Sequence, residues 1–282
     1  MSSTLRYAAF TTDPDGGNPA GIVLDALELD PRERQHIAAE LGYSETAFVE
    51  PGPRAREYKI RYFSPVAEVP FCGHATIASA VALADREGPG DIVLETSAGR
   101  VDVATERVDG SIRAAMTSVD TRSHPADESL VAAALAALDW RKGELNTDFP
   151  PHVSFGGVNH LVLTVSTRER LAELEYNFEN LKRIMSFNDL TTLQLVYVDG
   201  AGEVVHSRNP FPVGGIVEDS ATGAAAAAYG GYLRALGRVT ARRSFTILQG
   251  EDMGRPSQLT VTVDPNSARV TVAGHAVEIL TP

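Results

Sequence analysis

Two short segments hold residue types that could act on a small anion: Phe71-Cys-Gly-His74 and Glu218-Asp-Ser-Ala-Thr-Gly223. Each places a glycine where a loop runs into a stretch of small, apolar residues that reads as a helix. The first backbone N–H groups of a helix lack partners within it, and the helix dipole adds partial positive charge at that end. Gly73, Thr222 and Gly223 are therefore candidates for backbone N–H ligation. Two such helix starts turned toward one another would cradle a carboxylate or a developing enolate without a metal. Other chemistries lack their residues. No Gly-x-Gly-x-x-Gly or Gly-x-x-x-x-Gly-Lys-Ser/Thr phosphate loop is present, and no Gly-x-Ser-x-Gly elbow. The 7 histidines show no His-Glu-x-x-His or comparable spacing, so no metal is expected. Cys72 is the sole cysteine, which excludes an internal disulfide, a Cys-rich zinc site and two-thiol chemistry. By itself Cys72 reads as a small buried apolar residue.

The elements that must position these residues are mostly short strands. Leu5–Phe10 and Ala20–Leu24 read as strands across the turn-rich segment Thr12–Pro19. Pro31–Leu41 reads as a helix that starts on proline and stops at Gly42. Further strands are expected at Glu45–Val49, Tyr58–Phe63, Ile92–Thr96, Val101–Ala104, Leu161–Val165 and Leu193–Val198. The tail adds strands at Ser244–Leu248, Leu259–Val263, Val270–Val272 and Ala276–Leu280. Helices are expected at Leu130–Leu138 and near Tyr176–Met185, and polar Thr117–Glu128 marks a soft boundary. Many strands with few helices indicate an α+β architecture.

An internal repeat organises them. Placing Gly73 on Gly223 superposes Glu68 on Glu218, Cys72 on Thr222 and Leu83 on Leu233. Arg61-Tyr-Phe-Ser-Pro65 and Arg208-Asn-Pro-Phe-Pro212 precede the two glutamates, with a longer loop in the second copy. The helices that follow, Ala75–Ala84 and Ala224–Leu233, are small or apolar on every side, so each should be buried all round by a curved sheet. Gly230-Gly231 costs about 1 kcal/mol per glycine against alanine in a helix, which points to close backbone approach. The domains expected are residues 1–120 with about 266–282, and residues 121–265.

Composition bounds the class. With 282 residues, 43% hydrophobic and 22% charged, the chain has material for a sizeable core and is not a disordered one. The formal charge of −12 repels phosphate backbones, so nucleic acid is not an expected partner. Neither a secretory leader nor an apolar run of about 18 residues is evident, so the expectation is a cytoplasmic protein with no membrane partner.

Five ordered motifs carry a resemblance. Gly17-Asn-Pro-Ala-Gly-Ile-Val23, Ser44-Glu-Thr-Ala-Phe48, Phe71-Cys-Gly-His-Ala-Thr76, Glu218-Asp-Ser-Ala-Thr-Gly223 and Gln249-Gly-Glu-Asp-Met-Gly-Arg-Pro-Ser257 follow one another along nearly the whole chain. The series resembles the PhzF-like phenazine biosynthesis family, relatives of diaminopimelate epimerase. The resemblance implies two pseudo-symmetric domains, each a curved sheet or barrel around a central buried helix, with the active site in the cleft between them. It also implies cofactor-independent proton transfer on a small carboxylate-bearing metabolite, in a homodimer. Glu45 matches the family's acid/base glutamate, and His74 and Asp219 match its supporting polar pair. A carboxyl screened from water gains a raised pKa, as proton shuttling at neutral pH requires. Asn18 and Ser44 join Gly73, Thr222 and Gly223 as candidate substrate-binding residues.

Two departures keep alternatives open. Ala224 stands where the family often has serine, and Arg208-Asn-Pro-Phe-Pro replaces the usual Arg-x-Phe-x-Pro that Arg61–Pro65 retains. The leading expectation is an isomerase with Glu45 as general acid/base. The alternatives are an amino-acid epimerase-like enzyme and a non-catalytic ligand-binding member of the same fold.

Overall fold

The computed structural model describes residues 4–200 and 202–280. The chain separates into two compact units, one running to Thr117 and taking in the tail from Ala273, the other spanning Ser118–Val272.

In the first unit, strands β1 (Leu5–Ala9) and β2 (Asn18–Val23) pair antiparallel. Helix α1 (Pro31–Leu41) then crosses over to β3 (Thr46–Pro51), which lies parallel to β2. Local chemistry sets the ends of α1. The Asp30 carboxylate accepts from the N–H groups of Arg32 and Glu33 at 2.7 and 2.9 Å, and Glu33 reciprocates at the Asp30 N–H, 2.7 Å away. Gly42 closes the helix with φ +67°, a left-handed conformation that only glycine adopts without penalty. Then follow β4 (Glu57–Phe63), a two-residue β5 (Glu68–Val69), helix α2 (Gly73–Glu87), β6 (Gly90–Thr96), β7 (Gly99–Val108) and β8 (Ser111–Thr117).

The second unit repeats the scheme. It contains β9 (Arg122–Pro125), α3 (Glu128–Leu138), β10 (His152–Phe155), β11 (Asn159–Thr164), α4 (Arg168–Ala172), α5 (Phe178–Phe187) and β12 (Thr192–Asp199). After these come β13 (Val204–Pro210), the short β14 (Glu218–Asp219), α6 (Gly223–Ala235), β15 (Arg243–Gln249) and β16 (Ser257–Val263). A last strand, β17 (Val270–Glu278), begins in the second unit and ends in the first.

Strand pairing makes the duplication explicit. In the first unit β2 and β3 are parallel, β3 and β4 antiparallel, β4 and β6 parallel, β6 and β7 antiparallel. The same alternation runs through β11, β12, β13, β15 and β16. β5 pairs with β4 as β14 pairs with β13. Because β17 pairs with both β1 and β8, the described strands β1-β2-β3-β4-β6-β7-β8-β17 close into a ring around α2. Closure leaves this sheet no open edge. In the second unit β9-β10-β11-β12-β13-β15-β16 is one continuous run, and α6 packs against both of its ends, so that sheet curves around the helix. The fold is thus α+β, with a central helix in each half as the absence of any polar face demanded. Residues His74–Ala84 of α2 are buried without exception.

The repeat extends to side chains. Arg61 forms a two-pronged ion pair with Glu68, and Arg208 forms one with Glu218, Nε–Oε1 at 3.0 Å and the second contact at 2.6 Å. Each pair ties the main strand to the short strand that leads into the central helix. Outside the sheets, Val23, Ala38, Phe48 and Phe63 pack under α1, while Leu135, Trp140, Leu181, Met185 and Leu193 form a second cluster with α3 and α5.

The two helix glycines have steric reasons. A Cβ on Gly231 would stand 2.5 Å from Thr121 Oγ1, and one on Gly230 would stand 2.9 Å from methyls of Val263 and Val270. Gly→Ala at an exposed helix site gains about 1 kcal/mol. At Gly231 the overlap reverses the sign, because overpacking costs about 1–3 kcal/mol and Thr121 is held by Ala268 and Arg234. Gly231→Ala is therefore expected to lower the urea midpoint, and a raised midpoint would show that Thr121 yields freely.

Several strands depart from the expectation. Val270–Val272 and Ala276–Leu280 are not separate: β17 runs unbroken to Glu278 through Gly274, because ladders on both sides hold the backbone extended. The polar segment Thr117–Glu128 contains β9. Ser123 there hydrogen-bonds His152 and Ser154 on β10 at 2.8 and 2.9 Å, so polar residues form a strand by satisfying one another across it. β8, β10 and β13 also escaped the reading of the sequence.

Candidate active site

Six residues converge at the start of α2. Asn18 opens β2, and Gly17 before it takes φ +63°, as the Gly-Asn-Pro turn requires. Gly21, in the same motif, is needed for approach, since a Cβ there would stand 2.5 Å from Leu41 and 2.8 Å from Thr46 Oγ1. That proximity lets the Gly21 N–H donate to the Glu45 carbonyl at 3.3 Å, which fixes the link between α1 and β3 where Ser44 and Glu45 lie. Cys72 is the extended residue just before α2, Gly73 the first helical residue and His74 the second. Thr76, the last residue of the motif, hydrogen-bonds the Cys72 carbonyl at 2.7 Å and Tyr62 Oη at 2.6 Å, anchoring the helix start in the barrel.

The side chains meet closely. Cys72 Sγ–H donates to Glu45 Oε2 at 3.4 Å, and His74 Nε2 lies 3.5 Å from the same oxygen. Ser44 Oγ is 3.4 Å from His74 Nε2, and Asn18 Nδ2 is 3.2 Å from His74 Nδ1. Cys72 Sγ also approaches His74 Nδ1 at 3.3 Å. Asn18, Cys72 and His74 are buried, and the Glu45 side chain keeps 16% of its exposure.

Burial pushes the Glu45 carboxyl above its usual 4.5, while hydrogen bonds from Ser44 and Cys72 pull it back in part. A raised folded-state pKa means that the folded chain holds this proton more tightly than the unfolded chain. Its contribution to stability is complete below the ordinary value and is lost as pH rises through the elevated one. At about pH 8 the native protein therefore carries a penalised carboxylate that Glu45→Gln removes. The variant is expected to melt at a higher temperature than the native protein at that pH, with the gap closing toward about pH 4. A gap that grows on acidification would contradict the raised pKa.

A second cluster forms at the start of α6. Thr222, extended before the helix, donates from Oγ1 to Asp219 Oδ2 at 2.5 Å. Gln249 organises both: its Oε1 accepts the Thr222 N–H at 3.1 Å, and its Nε2 donates to the Asp219 carbonyl at 2.8 Å and to Thr222 Oγ1 at 3.0 Å. Gly250, with φ +78°, turns the chain so tightly that a Cβ would stand 2.2 Å from the Arg255 carbonyl. Gly156 approaches the same helix start, 2.3 Å from the Ala224 carbonyl for an added Cβ.

Asn18, Ser44, Glu45, Gly73 and His74 are thus gathered in one unit, and Asp219, Thr222 and Gly223 in the other. Two participants were not singled out as site residues from the sequence. Cys72 contributes its thiol directly to the Glu45 group, and Gln249 braces Asp219 and Thr222. Gln249 heads one of the five motifs, which was the signal available for it.

Comparison with known proteins follows the same lines. The chain matches the phenazine biosynthesis-like protein family across residues 7–281. It belongs to that family. The trans-2,3-dihydro-3-hydroxyanthranilate isomerase of Pseudomonas fluorescens is 32% identical over 280 residues, covering 98% of this chain and 97% of that one. The phenazine biosynthesis protein of Bacillus anthracis, of the PhzF family, superposes with a TM-score of 0.88 at 25% identity, covering 98% and 96% of the two chains. A probable proline racemase from Agrobacterium radiobacter shares the fold, with a TM-score of 0.65 at 13% identity over 98% of this chain and 91% of that one. Several curated family members of comparable identity are named isomerases, and isomerase is the enzyme class of this chain. Among the described residues no helix is long and apolar enough to cross a membrane.

Proposed function

We propose that the protein is an isomerase that moves a proton between carbons of a small carboxylate-bearing metabolite, with Glu45 as general acid and base and no cofactor. The observation that carries this reading is the Glu45 carboxyl itself, half-buried, raised in pKa by desolvation and set against Cys72 and His74 at a helix start. In ionised form Glu45 removes a proton from a carbon acidified by a neighbouring unsaturated system. In protonated form it returns that proton to another carbon on the same face. Backbone N–H groups at Gly73 stabilise the delocalised anion, and Ser44, Asn18 and His74 hydrogen-bond the polar groups of the substrate. Asp219, Thr222 and Gly223 are assigned to substrate binding in the same reading.

The substrate class is supported by the relative from Pseudomonas fluorescens, whose name specifies trans-2,3-dihydro-3-hydroxyanthranilate. That compound and other dihydroaromatic and amino acids, incubated with the enzyme in D₂O and followed by NMR, test the proposal. Bond migration with deuterium incorporation or intramolecular transfer is expected for an isomerase. Exchange with inversion at one carbon would reassign the protein as an epimerase, and no change with any compound would leave a binding protein.

A further inference from the structure

Gln249 ends β15 as Thr96 ends β6, and the two hold the same place in the repeat. Matching Arg61 to Arg208 sets Glu57 on Val204, and the parallel pairs Glu57–Val93 and Val204–Thr246 then set Thr96 on Gln249. Their side chains differ in what they do. Thr96 Oγ1 donates to the Gly99 carbonyl at 2.7 Å and accepts the Ala98 N–H at 3.1 Å, so it finishes its own turn. Gln249 is buried, leaves its turn to Gly250, and reaches the start of α6 instead. We propose that Gln249 is a positioning residue for the reaction, which acts by directing the Thr222 hydroxyl proton and through it the Asp219 carboxylate.

Donors and acceptors at this helix start leave a single arrangement. A backbone N–H can only donate, so the atom facing that of Thr222 at 3.1 Å is the amide oxygen of Gln249. A backbone carbonyl can only accept, so the atom facing that of Asp219 at 2.8 Å is the amide nitrogen. Turning the amide over would set donor on donor and acceptor on acceptor. The other Nε2 proton goes to Thr222 Oγ1 at 3.0 Å. The one hydroxyl proton of Thr222 is then committed to Asp219 Oδ2 at 2.5 Å. That is the length of a charge-assisted bond, and it fixes the rotation of the carboxylate.

The Thr222 N–H, a candidate for ligation in the sequence, is therefore occupied, and the first helical N–H at this end is that of Gly223. Without the Gln249 amide the hydroxyl proton loses its direction and the carboxylate it holds is free to turn. A substrate group bound by Asp219 then meets that carboxylate in the wrong orientation. This consequence rests on the proposed assignment of Asp219 and Thr222 to substrate binding, whereas the polarity of the hydrogen bonds does not.

A double-mutant cycle on the full-length enzyme tests the inference, with trans-2,3-dihydro-3-hydroxyanthranilate or the compound turned over in D₂O as substrate. Gln249→Met keeps the length and loses the hydrogen bonds, Thr222→Val keeps the shape and loses the hydroxyl, and Thr222→Ser keeps the hydroxyl. Gln249→Met and Thr222→Val should each raise KM by about 10-fold or more, with kcat changed far less. The double variant should be no worse than the poorer single one, and Thr222→Ser should stay near the native KM. A merely structural defect lowers kcat by removing active molecules and leaves KM alone. Effects that multiply in the double variant, or a native KM in Gln249→Met, would overturn the proposal. Should Gln249→Met not fold, a native KM in Thr222→Val overturns it equally, because Gln249 acts through that hydroxyl. Amide hydrogen exchange, read without substrate, supplies an independent arm. The Thr222 N–H should exchange about 10-fold faster in Gln249→Met. Unchanged exchange would reject the brace itself, whatever the activity. Faster exchange in the variant, with no compound turned over by the native protein, would reject the isomerase reading and the positioning role that rests on it.

Discussion

Glu45→Gln is expected to reduce kcat by roughly 10³-fold, within the 10²–10⁴ range that a positioned acid/base supplies, while KM changes little. The amide preserves shape and can still accept from Cys72, so binding groups stay in place; what disappears is the capacity to take up and return a proton. Two further readouts separate this from general damage. In D₂O the variant should bind substrate yet incorporate no deuterium. In the native enzyme, kcat/KM should rise with pH through the elevated carboxyl pKa, because the ionised form is the one that attacks. A variant that retains exchange would remove Glu45 from the mechanism. A pH limb at the ordinary carboxylate value would show that the free enzyme does not keep this group dry.

The second large effect concerns the duplicated ion pairs. Glu218→Gln leaves the Arg208 guanidinium without its counter-charge in a nearly dry setting, the two side chains being 10% and 4% exposed. Breaking a buried pair on one side costs about 3–5 kcal/mol, because the remaining charge is uncompensated. The contact from Arg208 to the Ala172 carbonyl, 2.6 Å long, recovers only part of this. Glu68→Gln removes the equivalent pair from the first unit, where the side chains are 35% and 32% exposed. Water replaces the partner there, so the expected loss is at most about 1 kcal/mol. Urea unfolding of both variants checks the contrast, and equal losses would show that burial does not distinguish the two copies.

Activity and stability pull on Glu45 in opposite directions. The burial that readies the carboxyl for proton transfer also penalises its charged form at neutral pH. The variant that abolishes activity is therefore the one expected to melt higher in alkaline solution.

Much of the scaffold was legible because its causes are local. Pro31 and Gly42 mark the start and stop of α1 in the sequence, and the structure adds the capping box of Asp30 and Glu33 at its start. The apolar circumference of α2 and α6 announced helices with no solvent face. The Arg-and-Glu pattern before each helix announced a duplication that the strand pairings then repeat step by step. Legibility failed where a strand depends on a distant partner. β9 is polar and is held by His152 and Ser154 far along the chain, and β17 passes through a glycine that only flanking ladders keep extended.

The site divides the same way. Residue order in the chain determined which side chains could do chemistry, the glycine-led helix starts, the repeat and the family motifs, because each is written in a few consecutive residues. Only tertiary structure decided that the thiol of Cys72 would face Glu45 and His74, and that Gln249 would brace Asp219 and Thr222. The Cys72–Glu45 and Gln249–Thr222 contacts each join residues 27 apart, and their distances depend on how a curved sheet seats its helix rather than on any local preference.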